Sequence, residues 1–151
     1  MKDQVSNRFV ILRHIPGEAF ERTNETHLDW MFEVKGHLRT FSTAMVSFKD
    51  LANPRHLKAL ELSNHRIEYL EIRGDIGGQR GSVSEVLCGT YNVLAANEDK
   101  FFVCLEGTQN AMAFRIHCFF TRVHDEKEMP RRSASWSLKT HPNIAVYRSH
   151  S

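Results

Sequence analysis

The stretch that most constrains this chain is His27-Leu28-Asp29-Trp30-Met31-Phe32-Glu33-Val34, where strand periodicity and ligand chemistry coincide. Read with period two, Leu28, Trp30, Phe32 and Val34 fall on one face, and His27, Asp29, Met31 and Glu33 on the other. The apolar face is expected to enter a core. The other face places an imidazole and a carboxylate two residues apart, roughly 6–7 Å between Cα atoms at strand rise, close enough for both to reach one ion. A helix would turn them about 200° apart. Lys35-Gly36 then supplies a turn, and His37 to Phe41 returns as the second arm of a hairpin.

A length of 151 residues suits a single domain with a proper core. No apolar run approaches the roughly 18 residues of a membrane helix, and Met1 to Arg8 is polar, so a cytoplasmic chain with no membrane partner is expected. Cys88, Cys104 and Cys118 are odd in number and lack a CxxC pair, which favours small buried hydrophobes over a disulfide framework or zinc knot. A formal charge of +2 is too small to announce nucleic-acid binding on its own.

Arg8 to His14 is an apolar run of β-formers ending in a histidine and reads as the first strand; Ile15 to Thr26 reads as the loop that delivers the chain to His27. Leu57 to Leu62 is too short for its period to separate helix from strand. His65 to Ile72 alternates like a strand, with His65, Ile67 and Tyr69 on one side. Beyond the glycines at 74, 77, 78 and 81, which lack the Lys-Ser/Thr ending of a phosphate-cradling loop, the pattern is a meander. Its strands are 82–87, 90–94, 101–105 and 113–123, with turns at Cys88-Gly89, Asn97 to Asp99 and near Gly107. A charged loop is expected from His124 to Ser135, and Ser135 to Lys139 closes the sheet. The expected architecture is mainly β, a single antiparallel β-barrel with short helical turns. It spans residues 8–140, with a flexible 1–7 and a tail over 141–151, and holds Trp30, Phe32, Val34, Ile72, Phe102 and Trp136 in its interior.

Three segments in order resemble the 3′-phosphoesterase domain of bacterial DNA ligase D, also found as small stand-alone proteins. They are Arg8-Phe9-Val10-Ile11-Leu12-Arg13-His14; His27 through Gly36-His37-Leu38; and His65-Arg66-Ile67-Glu68-Tyr69 with its Gly-rich exit through Gly81 to Gly89-Thr90-Tyr91. With Trp136, the resemblance covers most of the chain. It implies a β-barrel that uses a divalent metal, typically manganese, to remove a 3′-phosphate or terminal ribonucleoside in DNA end joining. By that resemblance His14, His27 and Asp29 would be metal ligands for Mn²⁺ or another divalent cation such as Zn²⁺. His65 and Tyr69 would be catalytic groups that bind the phosphate or assist the leaving oxygen. The implied partners are nucleic-acid 3′ ends and a DNA ligase or polymerase of end joining, with the protein itself a monomer.

Two departures bear on activity. Where the ligase-D domains carry an arginine two residues beyond the aspartate, this chain has Met31, which removes a charge-assisted phosphate contact and predicts weak turnover. Their Trp-Asp pair is Leu87-Cys88 here. An alternative is therefore a catalytically impaired module that binds the metal and nucleic-acid ends. A third reading takes His27, Asp29 and the distant His117 as the two-histidine, one-carboxylate triad of a non-haem iron oxygenase, leaving His14 and His65 without a role. Without the resemblance, His14 and His27 read first as strand-end histidines satisfied by water. Asp29 is less easily dismissed, because a strand centre disfavours aspartate unless something pairs with it. Arg131-Arg132 reads first as a solvated loop and second as a phosphate-backbone contact.

Overall fold

A computed structural model describes residues 7–17, 25–78, 80–124 and 134–142. The described residues form nine strands: β1 (Arg8–Pro16), β2 (His27–Val34), β3 (His37–Thr43), β4 (Arg55–Arg66), β5 (Gly74–Asp75), β6 (Gly81–Asn97), β7 (Lys100–Gln109), β8 (Met112–Arg122) and β9 (Ala134–Pro142). All pair antiparallel, in the order β1-β2-β3-β4-β9-β8-β7-β6-β5, and β1 also pairs with β6. Eight strands thus close on themselves, with two-residue β5 appended to β6, so the barrel expected from the sequence is the fold. The charged segment 125–133 and most of the expected tail lie outside the described residues. Among the described residues no helix is long and apolar enough to cross a membrane.

Closure explains why β1 and β2 are apolar on both faces. Phe9, Ile11, Leu28, Trp30 and Phe32 point into the barrel, with Phe41, Phe101, Phe120 and Trp136 among their companions. The alternate residues Val10, Leu12 and Met31 form a second cluster on the outside, with Leu38, Tyr69, Leu70 and Val83. A 3₁₀ turn, Ile67–Leu70, lies over that outer face. The barrel centre is tightly aromatic: Phe32 meets Phe101 edge-on at 5.1 Å, and Phe41 stacks on Phe120 at 4.2 Å. The buried Trp30 indole N–H donates to Thr43 Oγ1 at 2.9 Å, so this indole's donor is met inside the barrel.

Several expectations are corrected. The segment from His65 to Ile72 is strand only at His65-Arg66, where β4 ends, and the 3₁₀ turn begins at Ile67. Leu57 to Leu62, left open by its length, is strand within β4. No turn occurs at Cys88-Gly89, because β6 runs unbroken from Gly81 to Asn97. Gly89 serves close approach instead, since a Cβ there would strike the Glu106 carbonyl of β7. The turn expected near Gly107 falls at Asn110-Ala111, both left-handed at φ 51° and 64°. Phe102 is half-buried and Phe101 is the interior residue. Val34 is only partly buried at the strand end, and Ile72 packs against the outer cluster. Cys104 and Cys118 are buried, but Cys88 is exposed and its thiol donates to Glu85 Oε2 at 3.3 Å.

Candidate metal centre

β1 and β2 pair so that Val10 faces Met31, Leu12 faces Asp29 and His14 faces His27. Because alternate side chains share a face, this register sets His14, His27 and Asp29 together on the outside of the barrel at one end of the second cluster. They are nonetheless buried, at 4 %, 6 % and 3 % exposure, which is unusual for three ionisable groups and calls for a compensating partner. His14 Nδ1 lies 3.7 Å from Asp29 Oδ2, and His27 Nε2 lies 3.4 Å from Asp29 Oδ1. The imidazole rings meet edge-to-face, centroids 4.9 Å apart.

The backbone decides which nitrogen of each ring faces the carboxylate. His14 Nε2 is 3.1 Å from the Arg80 carbonyl, and His27 Nδ1 is 3.0 Å from the Glu25 carbonyl. A carbonyl only accepts, so those nitrogens carry the hydrogens. In the neutral rings, His14 Nδ1 and His27 Nε2 then turn their lone pairs toward Asp29. Electron-pair donors that converge within 4.8 Å of one another repel unless a proton or a metal cation lies among them. Ligand atoms bound at 2.0–2.2 Å to one ion sit about 3–3.5 Å apart, close to the separations observed. Backbone carbonyls that fix the remote ring nitrogen are what metal-ligating histidines use. The three residues therefore fit a divalent cation such as Mn²⁺ or Zn²⁺, with nitrogen and oxygen donors suited to either.

A cavity of about 110 Å³ opens beside this group, lined by His14, Asp29, Met31, His65, Tyr69, Ile76, Arg80 and Val83. The other two expected site residues are thus delivered to the same place, His65 by the end of β4 and Tyr69 by the 3₁₀ turn. The His65 and Tyr69 rings meet edge-to-face at 5.6 Å, and His65 Nδ1 lies 3.1 Å from the Ser63 carbonyl, which sets Nε2 on the opposite side of the ring. Met31 is 1 % exposed and forms apolar wall where the resemblance would have an arginine. A larger cavity of about 810 Å³ adjoins His27, with Met45, Leu60 and Trp136 in its lining, but the chemistry-bearing groups converge in the smaller one.

His117 takes no part: it sits on β8, its ring 6.2 Å from Phe119, and among the described residues the group able to hold a metal comprises His14, His27 and Asp29. The sequence gives no warning of two contributors. Glu25 acts through its carbonyl, which no side-chain motif encodes. Arg80 sits among glycines, and its relation to His14 depends on how β6 enters the barrel beside β1. No family model matches the chain, and no curated protein matches it.

Proposed function

We propose that this protein is a divalent-metal-dependent phosphoesterase acting on nucleic-acid 3′ ends, removing a 3′-phosphate or a terminal ribonucleoside during DNA end repair. The observation that carries the reading is the pair of histidines turned by backbone carbonyls toward a shared buried aspartate, beside a small cavity that also receives an imidazole and a phenol. His14, His27 and Asp29 would hold the ion, which when bound would supply Lewis-acid neutralisation of a phosphoryl oxygen. His65 would exchange a proton at Nε2 with an oxygen of the scissile ester. The Tyr69 hydroxyl would serve as a second donor to that group. A ligase or polymerase of end joining would use the 3′-hydroxyl so released.

A second reading, a module that binds metal and DNA ends without turnover, is favoured by one observation, the apolar Met31 in the cavity wall. One lost charge-assisted contact costs about 1.5–3 kcal/mol, roughly one to two decades in rate, so weak activity is expected under the first reading. The test is incubation of purified protein and Mn²⁺ with primer-templates ending in a 3′-phosphate or a ribonucleotide. Slow, metal-dependent appearance of a 3′-hydroxyl supports the enzyme. End binding without product supports the module, and neither result removes both.

A further inference from the structure

Among the described residues that line the cavity beside His14 and Asp29, Arg80 is the one permanently charged, an exposed residue whose side chain is tied back to its own loop. Its Nη2 donates to the Ile76 carbonyl at 2.7 Å and its Nε to the Gly77 carbonyl at 3.2 Å. Its backbone N–H donates to the Gly77 carbonyl at 3.1 Å, and Ile76 N donates to the Gly81 carbonyl at 3.0 Å, closing the loop on itself. Asp75 Oδ1 accepts the Gly77 N–H at 2.6 Å. On the other side of Arg80, Gly81 adopts φ +106°, and a Cβ there would strike the Ile15 carbonyl and Gly17 N, so the backbone passes where only glycine fits. The Arg80 carbonyl meanwhile receives His14 Nε2–H.

A guanidinium has five N–H donors in a fixed plane, and the two bonds to loop carbonyls leave three to meet an oxyanion. The cavity, about 110 Å³, would hold roughly three to four waters at about 30 Å³ each. That accommodates a tetrahedral phosphoryl group and excludes a nucleoside. We infer that Arg80 is the phosphoryl-gripping cation of this site, and that the site selects a terminal phosphoryl group with sugar and base held outside. The inference rests on the phosphoesterase reading and deepens it. Recognition confined to the phosphoryl group makes the site indifferent to base sequence, and a pre-ordered loop spares the guanidinium the cost of being immobilised on binding.

The experiment is calorimetric titration of inorganic phosphate into wild type, Arg80→Gln and Arg80→Lys, each with saturating Mn²⁺ and again without metal. The expected result is an affinity for phosphate about ten- to a hundredfold weaker in Arg80→Gln, as for loss of a charged hydrogen bond. Arg80→Lys should fall between, keeping charge but not the fork. Mn²⁺ affinity should be unchanged in both, because His14 is oriented by the main chain. Equal phosphate affinity in Arg80→Gln would overturn the assignment, and so would a parallel loss of Mn²⁺ affinity, which would mark Arg80 as a loop brace only. If the wild type binds no Mn²⁺, the metal-centre reading falls while the metal-free series still decides Arg80: loss in Arg80→Gln upholds it, and no Arg80-dependent phosphate binding in either series rejects it.

Discussion

Asp29 carries a carboxylate in the middle of a strand at 3 % exposure, a position that is stable only with strong local compensation, and the two imidazoles within 3.7 Å supply the start of it. Its place in the chain, two residues after His27 within an alternating stretch, makes this pair readable from the sequence alone. The third member of the cluster, His14, is readable as a strand-end histidine but gains its meaning only from the β1–β2 register. Arg80 is not readable at all, since a lone arginine after glycines looks like solvated loop. Gly81 is the residue on which that loop depends. Gly81→Ala adds a Cβ against the Ile15 carbonyl at a backbone angle that alanine rarely adopts. A loss of about 2–4 kcal/mol is expected, read as a lower urea midpoint at unchanged slope. Because Arg80 O orients His14, Mn²⁺ affinity should fall as well.

Elements are legible where the sequence pattern alternates and ambiguous where it does not. β2 keeps its expected limits and β3 its expected start, running on to Thr43, because polar and apolar residues take turns and Lys35-Gly36 adopt left-handed angles suited to a two-residue turn. In β7, Phe101-Phe102-Val103-Cys104-Leu105 is apolar on both faces, so periodicity cannot choose which phase points inward. Packing against Phe120 and Ile116 of β8 chooses Phe101, Val103 and Leu105. The same ambiguity hides the continuity of β6, where irregular pairing near Val86 and Leu94 changes the register along one strand and Gly89 mimics a turn. The phase of β7 can be measured. Phe101→Ala should cost about 3–5 kcal/mol of stability and Phe102→Ala about 1 kcal/mol, since the first opens a cavity in the barrel and the second trims a half-covered outer ring. Equal costs in chemical denaturation would contradict the assigned phase.

At the scale of the whole molecule, eight strands enclose one aromatic core, and the outer face of β1 and β2 carries a second cluster that ends in His14, His27 and Asp29. The barrel class is legible in the sequence because short β-rich runs repeat without helical period. The outer cluster is not, because its cover, the turn from Ile67 to Leu70, mimics a strand in its alternation. Closure also buries Tyr91, whose hydroxyl donates to the Glu33 carbonyl at 2.7 Å. Burial first, and the Glu33 charge second, push its phenol up from 10.0 to about 12. A raised folded-state value contributes stability below the unfolded one, near pH 10, that is lost as pH rises toward 12. Melting temperature should therefore drop between those limits, and less steeply in Tyr91→Phe. The central claim is that this barrel holds a divalent cation at His14, His27 and Asp29, and calorimetric titration of Mn²⁺ into wild type and Asp29→Asn tests it most directly. The account predicts one site per chain in the wild type and an affinity at least about tenfold weaker in the variant, as for loss of a charged ligand. Equal Mn²⁺ affinity in a variant that is still folded would contradict it.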